Sequence, residues 1–419
     1  MTATGDELAA RAAQAARAGR MEEAAALWRQ ALAVDPNNSQ ALFHEGRRRV
    51  EQGDAATAAS LFSRAEIADK SNADIPLYLA LAQKMQGDIP GALRTIDRAL
   101  ALDPYSFVAL LSKGSLLESM AQPRQAARVY RDAVKIAPPP VAVAPAQRGA
   151  LEHAREVVEA NARALADHLQ AATKSTRARY AGERLERFDE CLQILAGIQT
   201  PKPQEPILLH FPRLPAIPFF DRELFPWFQT LEAATDVIRE ELIGAVKEDG
   251  AKFAPYIQFP AHAPVNQWAE LNWSPSWSTY FFWRDGVKFE DNCARCPQTA
   301  ALLQTLPMAH QAGFGPTAMF STLSPRTRIP PHTGSTNVRL ICHLPLILPP
   351  GCGFRVGNDT REWRMNEAWV FDDTIEHEAW NDSDQTRHIL IFDVWNPLLS
   401  DAERELVTEL MTALNTYDS

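Results

Sequence analysis

A spacing of 34 residues recurs through the first third of the chain and restricts its fold more than any other feature. Ala24, Ala58, Ala92 and Ala126 stand 34 apart, as do Trp28, Phe62, Ile96 and Tyr130, and as do Ala31, Ala65, Ala99 and Ala133. Pro36, Pro104 and Pro138 mark three of the four unit ends. A unit of this length is two antiparallel helices, with a small residue where the helices cross closely and a large apolar residue filling the gap to the next unit. Gly46 and Gly114 take the small position of the first helix in their units. Alanine-rich helices show accidental periods, but three columns in phase over four units read as an all-α solenoid over residues 1–138.

The period is that of tetratricopeptide repeats. Such arrays form concave surfaces for peptides, and also serve as dimerisation units or spacers. After Pro138-Pro139-Pro140 the pattern changes. Two longer amphipathic helices are expected at about 147–172 and 177–197, so residues 139–199 read as a helical cap and linker that covers the last apolar face of the solenoid. Six prolines between Thr200 and Phe225 forbid regular helix and predict an extended connector laid on the surface of the next domain, 200–419. One more helix is expected at about 226–248.

A chain of 419 residues exceeds one ordinary core, which agrees with this multidomain division. The net charge of −10 is uneven: residues 1–138 carry 17 basic and 16 acidic side chains, and the remainder 25 and 36. An acidic C-terminal part argues against a nucleic-acid partner. MTATGDELAARAAQAARAGR has early acidic residues and no apolar core of a signal peptide, and no stretch approaches a membrane span. The expectation is a cytoplasmic protein without a membrane partner. Of five cysteines only Cys293 and Cys296 are close, and without a second pair they read as reduced loop thiols rather than a zinc or redox site.

From Thr317 onward short strands are expected at about 317–323, 337–347, 353–356, 361–364, 368–373 and 386–395, without helices between them. That density implies a sandwich or jelly-roll barrel. Trp268, Trp273, Trp277 and Trp283 crowd the stretch before it, as a hydrophobic wall behind the sheet or as the lining of an entrance. Inside the strand region lie His332 and His377, 45 residues apart, and Arg387 follows ten residues after the second. Histidines on neighbouring inward-facing strands hold one metal ion from two sides. In the common non-haem iron triad a carboxylate stands two residues after the first histidine, but here that place is Gly334. A third ligand from the chain is not expected. Asp372 and Asp373 read as turn formers that orient a histidine.

The ordered series His332-x-Gly334-x-x-Asn337, His343-Leu344, Phe371-Asp372-Asp373, His377-Glu378 and Asp393-Val394-Trp395-x-Pro397 resembles the aspartyl/asparaginyl β-hydroxylase family. The resemblance is dense from about Trp273 to Pro397. It implies a double-stranded β-helix (jelly-roll, cupin-like) oxygenase domain with flanking helices, dependent on Fe(II), 2-oxoglutarate and O₂. It also implies metal binding by two histidines without a carboxylate, which Gly334 matches.

The resemblance assigns His332 and His377 to the metal and Arg387 to the far carboxylate of 2-oxoglutarate, with Ser321 as its hydroxyl partner and His343 at the other end. Arg339, on the same strand face as His343, joins the cosubstrate set. A guanidinium suits a carboxylate because its parallel donors meet both oxygens. Taken alone, Arg387 reads equally as a residue at a strand edge, Ser321 as a hydroxyl serving the backbone and His343 as a buried structural imidazole. His210, His262, His310 and His388 have no matched context. Where the family carries a second arginine beyond the one matching Arg339, this chain has Ile341, which argues against an aspartate substrate. The leading expectation is an enzyme hydroxylating a peptide or protein side chain docked by the repeats. A hydroxylase of a small free or carrier-bound amino acid or acyl substrate, and a non-catalytic repeat scaffold, stand as alternatives.

Overall fold

The computed structural model describes residues 3–311 and 313–417, and its contacts divide the chain into two compact units, Met1–Ile198 and Gln199–Ser419.

The first unit opens with four helix pairs: α1 (Gly5–Arg17) with α2 (Met21–Val34), α3 (Ser39–Glu51) with α4 (Ala55–Ala68), α5 (Asp74–Met85) with α6 (Ile89–Leu102), and α7 (Phe107–Ser119) with α8 (Pro123–Lys135). Asn38, Asp54, Asp88 and Ser106 start their helices by accepting a bond from a backbone N–H three residues on, which satisfies one of the orphan donors of the first turn. All four alanines of the Ala24 column are fully buried. The glycines explain the large column: a Cβ on Gly46 would lie 2.7 Å from the Phe62 ring, and one on Gly114 would strike Tyr130. The large residue therefore seats against the small position of its own unit, as well as facing the next, where Phe62 meets Tyr78 at 5.9 Å. The expected capping helices are α9 (Pro145–Arg179) and α10 (Glu186–Ala196); the first is much longer than its apolar pattern suggested.

In the second unit α11 (Phe228–Ala233) and α12 (Thr235–Glu248) take the place of the single helix expected there. Short strands β1 (Ala254–Pro255), β2 (Trp277–Arg284) and β3 (Val287–Lys288) follow, then α13 (Glu290–Arg295) and α14 (Pro297–Thr305). The remaining strands are β4 (Ala318–Leu323), β5 (Thr327–His332), β6 (Arg339–Ile347), β7 (Cys352–Val356), β8 (Asp359–Arg361), β9 (Trp369–Phe371), β10 (His377–Asn381) and β11 (Arg387–Trp395), before α15 (Asp401–Tyr417). Two antiparallel sheets result: a seven-stranded one ordered β1-β2-β4-β11-β6-β9, with β3 beside β2, and a four-stranded one ordered β5-β10-β7-β8. Apolar residues of both, among them Leu323, Ile389 and Phe371 from the large sheet and Ile329, Phe354 and Ala379 from the small, form one core between them. A second core lies on the other face of the large sheet, against α12 and α14.

Five strands were missed in the sequence: β1 and β3 are only two residues long, and the other three were hidden for separate reasons. β5 carries Pro330 and Pro331, tolerable because it is an edge strand of its sheet. β2 is buried along almost all its length on both faces, so it shows no alternation and reads as a cluster of aromatics. β10 spans five residues behind a turn. The paired cysteines also differ from expectation: Cys293 lies in α13, Cys296 caps it, and both are buried, their thiols donating to the carbonyls of Phe282 and Glu241. Burial pushes the Cys296 thiol up to about 12. Among the described residues no helix is long and apolar enough to cross a membrane.

The proline-rich connector runs along the loops that bear the site histidines. Glu205 N–H donates to the Thr374 carbonyl at 2.7 Å, and Ile207 and Leu208 N–H donate to the carbonyls of Gly334 and Ser335, each at 2.9 Å.

Candidate metal centre and anion pocket

On the large sheet the register pairs Arg387 with Leu323, Ile389 with Ser321 and Ile391 with His343. Side chains alternate along a strand, so Arg387, Ser321 and His343 share the face that looks toward the small sheet. Arg387 is 1% exposed, the largest fully buried side chain of the chain. No carboxylate pairs with it among the described residues; its guanidinium lies 5.0 Å above the Trp363 ring and its Nε has no partner. Desolvation pulls it down to about 10. A buried charge without a counter-charge is costly, and the arrangement calls for an anion. His343 is buried against Phe354 and Phe371, its Nδ1 is also without a partner, and burial together with Arg387 holds it well below the ordinary histidine value. Ser321 Oγ accepts from the Trp277 indole at 3.1 Å, which leaves its own proton for another acceptor.

The small sheet supplies the histidines. His332 ends β5 and His377 begins β10, paired in register, with ring centroids 4.0 Å apart. His332 Nδ1 lies 2.7 Å from the Pro330 carbonyl and His377 Nδ1 lies 3.1 Å from that of Ile375. A carbonyl only accepts, so each Nδ1 carries the proton and each Nε2 keeps its lone pair. Burial lowers both rings below the ordinary value and keeps them neutral; at His377 the neighbouring His332 adds to this. Two neutral, orientation-locked imidazoles side by side are a donor set for a first-row metal.

Next to them Gly334 N–H donates to the Asp373 carbonyl at 2.6 Å, and a Cβ at Gly334 would run into the Asp373 carboxylate. A side chain at position 334 would have to displace the Asp373 carboxylate. Burial, and next the adjacent Asp372, raise the Asp373 carboxyl to about 8. Asp372 forms a turn, accepting from the N–H and the hydroxyl of Thr374 at 3.0 and 2.6 Å. Among the described residues no group of three His, Cys, Asp or Glu side chains converges as a metal cage, so the histidines stand as a pair.

A profile of the Aspartyl/Asparaginyl beta-hydroxylase family matches residues 232–397, and one of the tetratricopeptide repeat matches 49–113. The chain is 40% identical over 129 residues to mouse aspartyl/asparaginyl beta-hydroxylase, covering 30% of this chain and 17% of that protein. The human protein of that name is 33% identical over 177 residues, 42% of this chain and 22% of that protein. These matches thus span less than a quarter of the mammalian proteins. An ornithine lipid ester-linked acyl 2-hydroxylase from Rhizobium tropici is 34% identical over 202 residues, 47% of this chain and 67% of that protein. The chain belongs to the aspartyl/asparaginyl β-hydroxylase family. It joins that family's domain to a tetratricopeptide array.

Within this family member the remaining sequence candidate, Arg339, is engaged elsewhere. It faces the same interior as His343, but its guanidinium pairs with Asp393 at 3.0 Å and also donates to the Phe314 carbonyl. Burial raises Asp393 to about 6, an effect that Arg339 partly offsets. The pair cancels its own charge, and Arg387 is left as the buried cation without an acidic partner. His388 points to the other face of β11, where its Nδ1 lies 2.9 Å from the Thr322 hydroxyl.

A cavity of about 270 Å³ is lined by Tyr256, Phe259, Phe281, Arg284 and Thr317 among others, without any of the site histidines in its wall. Tyr256 packs on Trp277 with tilted rings, centroids 4.3 Å apart, and Trp277 and Trp268 flank His332 at 6.5 and 4.9 Å. Two of the four crowded tryptophans thus line the site, Trp283 belongs to the core behind the sheet, and Trp273 is exposed. Sequence reading missed Trp363, Tyr256 and Asp393 as parts of this region. Asp393, inside the closing motif and in alternation with Ile391, carried a usable signal; Trp363 and Tyr256 carried none.

Proposed function

We propose that the C-terminal unit is an Fe(II)- and 2-oxoglutarate-dependent hydroxylase acting on a peptide or protein side chain, with the repeats docking that substrate. The observation that carries this reading is Arg387: a fully buried, unpaired guanidinium on the sheet opposite a pair of neutral histidines. His332 and His377 would hold the metal, and a dicarboxylate bound there by its keto-acid end would supply the anion that Arg387 lacks. The two unpartnered nitrogens, Arg387 Nε and His343 Nδ1, and the free Ser321 proton fit such a ligand.

Bound Fe(II), with the 2-oxo acid and O₂, supplies the oxidation that places a hydroxyl on an unactivated carbon, 2-oxoglutarate leaving as succinate and CO₂. The chain's own share is placement. His332 and His377 present Nε2 because their Nδ1 protons are committed to carbonyls. Arg387 and Ser321 fix the distal carboxylate and His343 the near end, while Phe354, Phe371 and Trp363 exclude water around them. Asp373 fills the space that a side chain at position 334 would enter. Arg339 holds Asp393 and with it the strand that carries Arg387.

A second reading, an acyl substrate, draws support from the Rhizobium tropici relative and from two residues of β6. Ile341 stands in place of a cation, and Arg339 is neutralised by Asp393. Succinate release separates the two. Under the leading reading a long peptide stimulates it several-fold over the uncoupled rate, and His332→Ala or His377→Ala abolishes it. Stimulation by an acyl amide and none by a peptide panel decides for the acyl reading; no succinate under any condition overturns both.

A further inference from the structure

The two histidine-bearing loops leave the small sheet at the same end, and a third segment joins them there. Gln204 donates from Nε2 to Asp372 Oδ2 at 2.5 Å, and its Oε1 accepts from Asn337 Nδ2 at 3.2 Å. Asp372 stands five residues before His377 and Asn337 five after His332. Asn337 in turn accepts from Phe211 N–H at 2.7 Å and donates to the Phe211 carbonyl at 2.9 Å. The backbone repeats the link: residue 204 bridges Ile375, residue 209 bridges Thr336, and the N–H groups of Glu205 and Ile207 reach Thr374 and Gly334. Lys202 adds an ion pair to Glu376 at 2.9 Å. Asn337, Asp372 and Thr374 are buried, so these bonds are made where water cannot replace them.

We infer that residues 202–211 are a strap that sets the separation of His332 and His377, with Gln204 as the positioning residue whose amide ties one histidine loop to the other. The ladder between β5 and β10 does not do this alone, because its register shifts just past His377, where the pair needs to be held. The strap lies outside residues 232–397, which the family profile covers. Supporting partners of this kind typically change metal affinity about 10–100-fold when removed. The inference rests on the reading of the histidines as a metal site.

The test is Mn(II) affinity of the full chain, measured by titration without any turnover, in wild type, Gln204→Met, Gln204→Glu and Gln204→Glu with Asp372→Asn. Gln204→Met keeps length and removes the bonds to Asp372, to Asn337 and to the Pro215 carbonyl at 3.4 Å; its dissociation constant should rise at least tenfold. Gln204→Glu sets two carboxylates against each other and should be as weak or weaker. The double variant exchanges donor and acceptor: the amide introduced at position 372 donates to the carboxylate introduced at position 204, to which Asn337 still donates, and most of the affinity should return. Its failure to recover, or an unchanged affinity in Gln204→Met, overturns the strap's role. Wild type that takes up no Mn(II) overturns the metal reading, and the strap's role with it. Should Gln204→Met fold poorly, the contrast between the single Gln204→Glu variant and the double variant decides alone.

Discussion

Two buried charges, Glu45 in the repeats and Arg387 in the second unit, are treated in opposite ways. In the repeats Glu45 is 8% exposed, and Arg48 and Arg49 of its own helix close on it, the latter at 3.1 Å. Both partners stand within four residues, so the pair is made as soon as α3 forms. In the second unit Arg387 is more deeply buried and has no acidic partner, although its strand was brought into register with segments more than 40 residues away. The first arrangement is a device of folding. The second leaves a cost standing that the fold does not offset, which is the ground for the proposed anion ligand.

The sharpest way to break this contrast is Arg387→Met. Loss of a carboxylate partner in a closed pocket costs about 2–5 kcal/mol, so the dissociation constant for 2-oxoglutarate, titrated with Mn(II) present, should rise about 30-fold or more. The ligand-free melting temperature should hold or increase, since the variant removes an uncompensated charge from the core. A variant that loses stability without ligand and keeps its 2-oxoglutarate affinity would make Arg387 a structural residue, and the contrast with Glu45 would vanish. Arg387→Lys should restore binding only in part, because an ammonium cannot offer two parallel donors.

A smaller effect is expected at Gly46, where a side chain meets the Phe62 ring. Gly46→Leu overpacks the crossing of α3 and α4 and should destabilise the repeats by about 1–3 kcal/mol. Uncoupled succinate release should survive, and peptide-stimulated release should fall. Equal loss of both rates would contradict the division of labour between the units.

The same contrast explains what the sequence disclosed. The helix pairs were readable because a period of 34 repeats every packing decision four times, and an error in one column is corrected by the others. Gly46 and Gly114 fitted that grid before Phe62 and Tyr130 could be seen against them. In the second unit His332, His377 and Arg387 were readable only as members of an ordered motif series, since no local rule places a residue on one sheet opposite another. β5 was hidden by its prolines and β2 by burial on both faces. The Gln204 link was illegible for a further reason: a glutamine among prolines has no pattern of its own, and its partners at 337 and 372 become neighbours only after both sheets have closed. Arg339 teaches the converse, for alternation placed it in the interior correctly but said nothing of Asp393, which consumes its charge.

The smallest effect concerns a histidine of the repeats, set against those of the site. His44 stacks on Trp28 with ring centroids 3.8 Å apart, and burial, helped by Arg47, lowers it to about 4. Its folded value is depressed below the ordinary 6.5, so between about pH 6.5 and 4 the unfolded chain takes up a proton that the native unit refuses. The contribution of neutral His44 is therefore complete above pH 6.5 and is lost as the pH falls through that window. The slope stays well below the limit of about 1.4 kcal/mol per pH unit for one proton, because water still reaches part of the ring. His44→Gln keeps a flat polar group on Trp28 without the titration. Urea unfolding followed by helical circular dichroism should show this variant less stable than wild type at about pH 7.5, with the gap closing or reversing at about pH 5. A gap equal at both values would mean that His44 gains its proton in the folded repeats, and that burial without a counter-charge is no special property of the second unit's site.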